Sequence, residues 1–172
     1  MSGPMINISD VVLEPTQPPF APSGPTAERF EARQGMISER IGARKLGYNI
    51  TAVPPGKRAW PIHHHRVNEE MFFVLEGSGE VRIGDSRYPI RRGDFIACPA
   101  GGRDTAHQII NTGTEELRYL AVSTQSSPEV VEYPDSGKFA VNVELGIAPD
   151  GKRQRFIFVG RESLSLEYWE GE

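Results

Sequence analysis

The chemistry in this chain is concentrated in a short run of histidines. There are only four in the sequence: His63, His64 and His65 stand together, and His107 stands apart. A carboxylate, Glu70, follows five residues after His65. On an extended strand, residues i and i+2 share a face, so His63 and His65 can point together while His64 points away. A pair of imidazoles with one carboxylate suits Zn, Fe, Mn, Ni or Cu. Taken alone, the cluster is equally readable as a solvated polyhistidine loop.

The elements that must hold these residues are short strands. From Leu46 onward LGYNITAV, EEMFFVLEG, GEVRIG, YPIRRGDFIACP, AHQIINTG and LRYLAVST follow one another closely. Each is rich in β-branched or aromatic residues and is bounded by Gly, Pro, Asn or Asp. That punctuation predicts an all-β sandwich or barrel from about Leu46 to Thr124. After Thr124, EVVEYP, KFAVNVEL and QRFIFVG are candidate strands of a C-terminal extension over 125–172, ending in the acidic aromatic LEYWEGE. In EEMFFVLEG, Glu70, Phe72 and Val74 fall on one face and Met71, Phe73 and Leu75 on the other. Both faces are largely apolar, which predicts cover on both sides: the barrel interior on one, and a sheet layer, terminal segment or second subunit on the other.

The spacing around the histidines adds specificity. The first block reads G-x6-H-x-H-x4-E-x6-G, from Gly56 through His63, His65 and Glu70 to Gly77. The second runs from Gly93 through Pro99 and Gly101 to His107 and Asn111. Together they resemble the paired motifs of the cupin superfamily. The resemblance covers about residues 46–124 and implies a double-stranded β-helix, an antiparallel barrel of jelly-roll type. It also implies one divalent transition metal held by His63, His65, Glu70 and His107. Two departures are visible. One extra residue precedes His63, and a three-residue insertion, within Gly102-Arg103-Asp104-Thr105-Ala106, lengthens the loop before His107. Three imidazoles and one carboxylate leave two positions open on an octahedral ion, as a catalytic metal requires. A closed structural zinc site would more often recruit cysteines, and this chain has one, Cys98. The alternative is a metal-free barrel with relic ligands.

Other residues are weighed against simpler roles. His64 reads as a solvent-facing or supporting residue rather than a ligand. Cys98, before Pro99 in an apolar run, reads as a buried inert thiol. Phe72 and Ile109, with Val74, share faces with ligands and are candidates for the pocket wall, as is Tyr119 and, more weakly, Trp60; core packing explains them equally well. Arg103, Asp104 and Thr105 are turn residues by composition, yet a loop leading into a ligand is also where substrate contacts gather. Arg103 offers a planar fork of donors suited to a carboxylate or phosphate. Glu76 and Glu80 are the nearby carboxylates that acid–base chemistry would recruit, although both can face solvent.

Composition bounds the rest. The 172 residues suit one domain with a substantial core. A net charge of −4, with no helix-turn-helix signal, argues against nucleic-acid binding. The N-terminus lacks the basic and apolar regions of a signal peptide, and the longest apolar run, Met71 to Leu75, is far too short to span a bilayer. The expectation is a soluble cytoplasmic protein acting on a small molecule. Residues 1–26 carry six of the fourteen prolines and predict an extended arm, with a possible helical turn within 27–45. The arm and the two-sided strand both ask for a partner surface, which predicts a homodimer. The resemblance implies a metal-dependent dioxygenase, isomerase or decarboxylase, or else a small-molecule binding or sensing module without catalysis.

Overall fold

In the computed structural model, which describes residues 3–149 and 153–172, the chain is built from β-strands and short 3-10 turns. Two strands of the N-terminal segment, β1 (Glu14–Pro15) and β2 (Arg33–Met36), precede the barrel. The barrel strands are β3 (Leu46–Val53), β4 (His64–His65), β5 (Glu70–Glu76), β6 (Ser78–Ile83), β7 (Ser86–Arg91), β8 (Phe95–Cys98), β9 (His107–Ile110) and β10 (Leu117–Thr124). The C-terminal extension adds β11 (Glu129–Tyr133), β12 (Lys138–Ile147) and β13 (Arg153–Gly160). Each strand-like segment of the sequence is a strand, and YPIRRGDFIACP is two, folded back at Gly93. The helical turn expected within 27–45 is a single 3-10 turn, Ser38–Ile41. No helix among the described residues is long and apolar enough to cross a membrane.

The ladders are antiparallel. One sheet runs β1-β2-β3-β10-β5-β8. Two further ladders, β7-β6-β9 and β4-β11-β12-β13, are joined by an antiparallel bridge between His63 and His107 into a second wall. A single buried cluster draws Val53, Phe72, Val74, Ile96 and Tyr119 from the first sheet and Val81, Ile90 and Ile109 from the second. The two walls therefore face each other around one core, the jelly-roll arrangement of a double-stranded β-helix. Alternation in β5 is as the sequence predicts: Phe72 and Val74 are buried, while Met71, Phe73 and Leu75 are partly covered. Gly77 closes that strand at φ 78°, and a Cβ there would stand 2.5 Å from the Glu116 carbonyl oxygen, so only glycine fits.

The N-terminal segment lies across this same barrel. Val11, Ile37 and Ile50 form a second buried cluster, against which Ile6, Leu13, Tyr48, Leu75 and Leu120 pack. The outer face of the first sheet is thus covered in cis, and β2 pairs with β3 over four residues from Arg33↔Ala52 to Met36↔Asn49.

Candidate metal centre

Three short elements bring the site together. His63 and His65 flank the buried His64 at β4, Glu70 opens β5, and His107 opens β9. Their ligand atoms all lie within 4.8 Å of one another. Glu70 Oε2 is the hub: His107 Nε2 is 2.8 Å away, His65 Nε2 3.3 Å and His63 Nε2 3.7 Å. The His63 and His107 rings stand 4.6 Å apart, and those of His63 and His65 5.2 Å apart.

The opposite ring nitrogens fix what the inner ones can do. His63 Nδ1 is 2.9 Å from the Pro61 carbonyl, His107 Nδ1 is 3.3 Å from the Thr105 carbonyl, and His65 Nδ1 is 3.7 Å from the Glu129 carboxylate. An imidazole whose Nδ1–H faces an acceptor presents a lone pair at Nε2. The Nε2 atoms of three imidazoles and a carboxylate oxygen thus converge on one point, an arrangement that a shared cation would satisfy. Both ring nitrogens of His65 are moreover buried without a hydrogen-bond partner. This donor set fits a divalent ion. Burial works to raise the Glu70 pKa, but hydrogen bonding to His107, His63 and His65 outweighs it and holds the carboxyl well below its usual range. Burial also works against charge on His65 and His107. For His65 the attraction of Glu70 and Glu129 prevails and its pKa rises; for His107 burial prevails and its pKa falls.

Supporting residues complete the frame. Gln108 Nε2 donates to the Trp60 carbonyl at 2.6 Å, holding the chain just before the histidines. Asn111 donates to the Val53 and Glu115 carbonyls, both at 2.8 Å, and accepts from Gly113 N–H, which shapes the turn after β9. Glu129 is the carboxylate that the sequence reading missed. It is buried and accepts the N–H groups of Arg66, Val67, Asn68 and Val130. It therefore folds the loop joining His65 to Glu70 while facing His65 Nδ1. Its sequence signal was modest: a carboxylate opening an otherwise β-branched strand.

The remaining candidates separate. His64 points away from the cluster as alternation requires, but it is buried at 2% exposure rather than solvent-facing. Its polar partner is Glu132: His64 Nε2 is 3.0 Å from that carboxylate, which Arg66 grips with two nitrogens, and burial lowers the His64 pKa. Phe72 stands beside the site, its ring 5.6 Å from that of His107. Tyr119 packs edge-on behind Phe72 at 5.4 Å and is fully buried, and Ile109 lies in the same core. Burial pushes the Cys98 thiol up to about 12, the behaviour of an inert core cysteine. Glu76 pairs with Arg118 and Glu80 with Arg87, each at 3.1 Å. Arg103 stands exposed on the 3-10 turn Arg103–Thr105. The inserted loop leaves His65 through a Gly101 N–H to His65 carbonyl bond of 2.8 Å, then packs Asp104 against Gly84 in the β6–β7 turn.

A cavity of about 180 Å³ opens on the His65–Glu70 side of the cluster. Its floor is Asn68 and Glu129; Ser123 to Ser127 form one wall, and Asn142, Glu144, Arg153 and Arg155 of the β12–β13 hairpin form the other. Phe72, Arg103, Ile109 and Tyr119 are not part of this lining.

The sequence matches the Cupin domain family over residues 49–123. Protein SchB of Streptomyces halstedii is 34% identical over 90 residues, 52% of this chain and 62% of that protein. The chain spans about half the length of the curated relatives it matches. Among solved structures, a putative sugar phosphate isomerase from Acidithiobacillus ferrooxidans superposes with a TM-score of 0.70 at 26% identity, covering 89% of this chain and 91% of its own. A sugar phosphate isomerase from Silicibacter pomeroyi superposes with a TM-score of 0.74 at 19% identity over 94% of this chain and 95% of its own, a likeness of fold. Residues 49–123 thus match a cupin domain, and the paired motifs and the double-stranded β-helix around them are the ones that the resemblance implies.

Proposed function

We propose that this protein is a metal-dependent enzyme acting on a small polar or acidic molecule, with a divalent transition ion on His63, His65, Glu70 and His107. One observation carries the reading: three imidazole nitrogens and a carboxylate oxygen converge within 4.8 Å, and two of the four residues, His65 and Glu70, line a cavity. When bound, such an ion supplies a Lewis acid with positions left over for a chelating substrate. The chain's own residues do the rest. The Pro61 and Thr105 carbonyls and Glu129 orient the imidazoles, Phe72 walls one side against water, and the polar cavity admits the substrate. Among cupin reaction classes isomerisation is favoured, because the A. ferrooxidans neighbour, described as a putative sugar phosphate isomerase, matches across most of this chain. Non-catalytic binding or sensing is the competing reading.

A homodimer goes with this proposal. Phe156, Ile157, Phe158 and Val159 on the edge strand β13 are all 42–52% exposed, a density of apolar surface that ordinarily marks a partner interface.

The test is metal analysis of chelator-free protein, followed by small hydroxy-carbonyl anions in deuterium oxide watched by proton NMR. Exchange of substrate C–H for C–D with conversion to an isomer supports the isomerase reading. Evolution of carbon dioxide or uptake of dioxygen would move the protein to another cupin reaction class. Metal without turnover of any probe leaves a binding module, and no metal at all ends the proposal.

A further inference from the structure

The wall of the cavity contributed by β12 and β13 departs from what a strand pair laid on a barrel ordinarily presents. Arg153 and Arg155 share one face of β13 by alternation, and Asn142 and Glu144 share one face of β12. All four line the cavity. Farther along β13 the residues turn apolar, through Phe156, Ile157, Phe158 and Val159. The cationic side chains are thus confined to the start of β13, and they line the same cavity as His65 and Glu70.

Arg153 is held in place. Its Nη1 donates to Gln125 Oε1 at 2.9 Å, and its Nε lies 3.8 Å from both Glu39 and Glu144. Gln125 in turn occupies the space over Gly47, where a Cβ would stand 2.2 Å from its Nε2. A glycine in β3 therefore makes room for the amide that orients an arginine on β13. The carboxylates nearby do not cancel the cationic end. Glu129 already accepts four backbone N–H groups, and the Glu144 contact with Arg153 is long. The same two arginines border an outer depression lined by Glu39, Gly42, Ala43, Arg44 and Ile147. Arg153 and Arg155 are thus common to the outer depression, which Arg44 also lines, and to the cavity of His65 and Glu70.

The other wall is rich in hydroxyls: Ser123, Thr124, Ser126 and Ser127, with the Gln125 amide. A cavity of about 180 Å³ is smaller than ordinary ligand pockets, which begin near roughly 300 Å³. It suits a molecule of a few carbons.

We propose that Arg153 and Arg155 are the anion-recognition pole of this cavity, and that its ligand is a small hydroxylated anion that reaches the metal centre with its hydroxyls and the two guanidinium groups with its carboxylate or phosphate. The inference rests on the metal-dependent reading above and names its substrate class. Guanidinium forks bind both anion types in two-pronged fashion, so the shared chemistry is a planar or tetrahedral oxyanion on a polyol.

The test uses the full chain loaded with Zn(II), its metal content measured on the same sample, and isothermal titration with three probes of matched carbon skeleton: D-glycerate, glycerol 3-phosphate and glycerol. At least one anion should bind tighter than glycerol by roughly ten-fold or more, the scale of a charge-assisted hydrogen bond. Which anion binds tighter distinguishes carboxylate from phosphate. The double variant Arg153→Gln/Arg155→Gln should lose that advantage while keeping wild-type metal content and melting temperature. Gln125→Ala should lose part of it, and Arg103→Gln, outside the cavity lining, should bind as wild type. Anions no tighter than glycerol, or a double variant that binds as wild type, would overturn the proposal. So would an equal loss in Arg103→Gln. If the sample takes up no metal yet binds an anion through Arg153 and Arg155, the pole stands and the metal-dependent reading fails.

Discussion

His63 and His107 exchange both of their backbone hydrogen bonds, at 3.2 and 2.8 Å. The bridge that joins β4 to β9 is therefore also the bridge that sets two of the four ligand positions. Closing the second wall of the barrel and building the site are one event, and the site is rigid because a pair of peptide groups fixes it.

This coupling separates the histidines by experiment. His63→Ala and His107→Ala each remove a donor and keep the bridge, so both should lose most bound metal. Loss of a partner behind a ligand typically costs 10–100-fold in affinity, and loss of a ligand should cost roughly 100-fold or more. His64→Ala should keep the metal and instead weaken the fold by about 1–3 kcal/mol, because Glu132 loses a buried partner. Elemental analysis beside thermal melts reads both. Metal lost from His64→Ala but kept in His63→Ala would refute the assignment.

Glu129→Gln tests the support beneath the site. An amide oxygen can replace part of the carboxylate, but its NH2 group would face backbone N–H donors of residues 66–68. The expected cost is about 1–3 kcal/mol of stability, with metal affinity reduced roughly 10–100-fold through His65. A chelator competition titration measures the second effect. Unchanged affinity would show that Glu129 serves the loop alone.

Metal retention should fall with acid. Ligating imidazoles must be neutral, so protons and metal compete. Glu70 is held well below the usual carboxylate range, so it stays ionised while the histidines titrate. His65, whose pKa the Glu70 and Glu129 carboxylates raise against burial, takes a proton before His107 as pH falls, and affinity should weaken with it. His107, lowered by burial, follows at lower pH. A series of metal-binding isotherms between neutral and acid pH checks this, and affinity that rises on acidification would contradict it.

Much of this was legible in the residues. Alternation placed His63 and His65 together and His64 apart, and Phe72 and Val74 inward, because a period of two depends only on backbone geometry. What local pattern cannot supply is which distant segment covers which face. The arm of residues 1–26 reads as extended chain from its prolines, yet nothing local says that Val11 and Ile37 meet Ile50 on the outside of β3. Arg103 was drawn to the mouth by its place before His107. The structure puts it on an exposed turn, where its charge adds to the Arg82 hydrogen bonds that hold the Asp135 carboxyl below its usual range. Arg153 and Arg155 are more than eighty positions from His65, and only the pairing of β12 with β13 brings them over the cavity.

Removing residues 1–13 should uncover the second core cluster. Val11 would go, and with it the cover over Ile50, Tyr48, Leu75 and Leu120. A buried aliphatic side chain contributes on the order of 1.5–3 kcal/mol, so the truncated chain should melt at lower temperature and bind a hydrophobic dye. Metal content should survive at low temperature, since no ligand lies in the arm. A truncated chain with the wild-type melting temperature would show that the arm's packing adds little.

The edge strand β13 carries the last prediction. Its residues from Gln154 to Val159 are exposed on both faces, with Phe156, Ile157, Phe158 and Val159 in succession. One edge pairs with β12, and the strand ends its sheet. A strand of this kind, apolar on both faces with an open edge, is ordinarily blunted by charge or covered by another chain. Here the charge sits only at the start of the strand, on Arg153 and Arg155, so the remainder is the surface a second copy would cover. Ile157→Lys/Val159→Lys should convert a dimer to a monomer by sedimentation while the barrel keeps its melting transition and its metal, because neither side chain belongs to a buried cluster. A wild-type chain that is monomeric at high concentration would defeat the dimer outright. A variant that remains dimeric would move the interface off β13 to another exposed face, such as that of Tyr88 and Phe95.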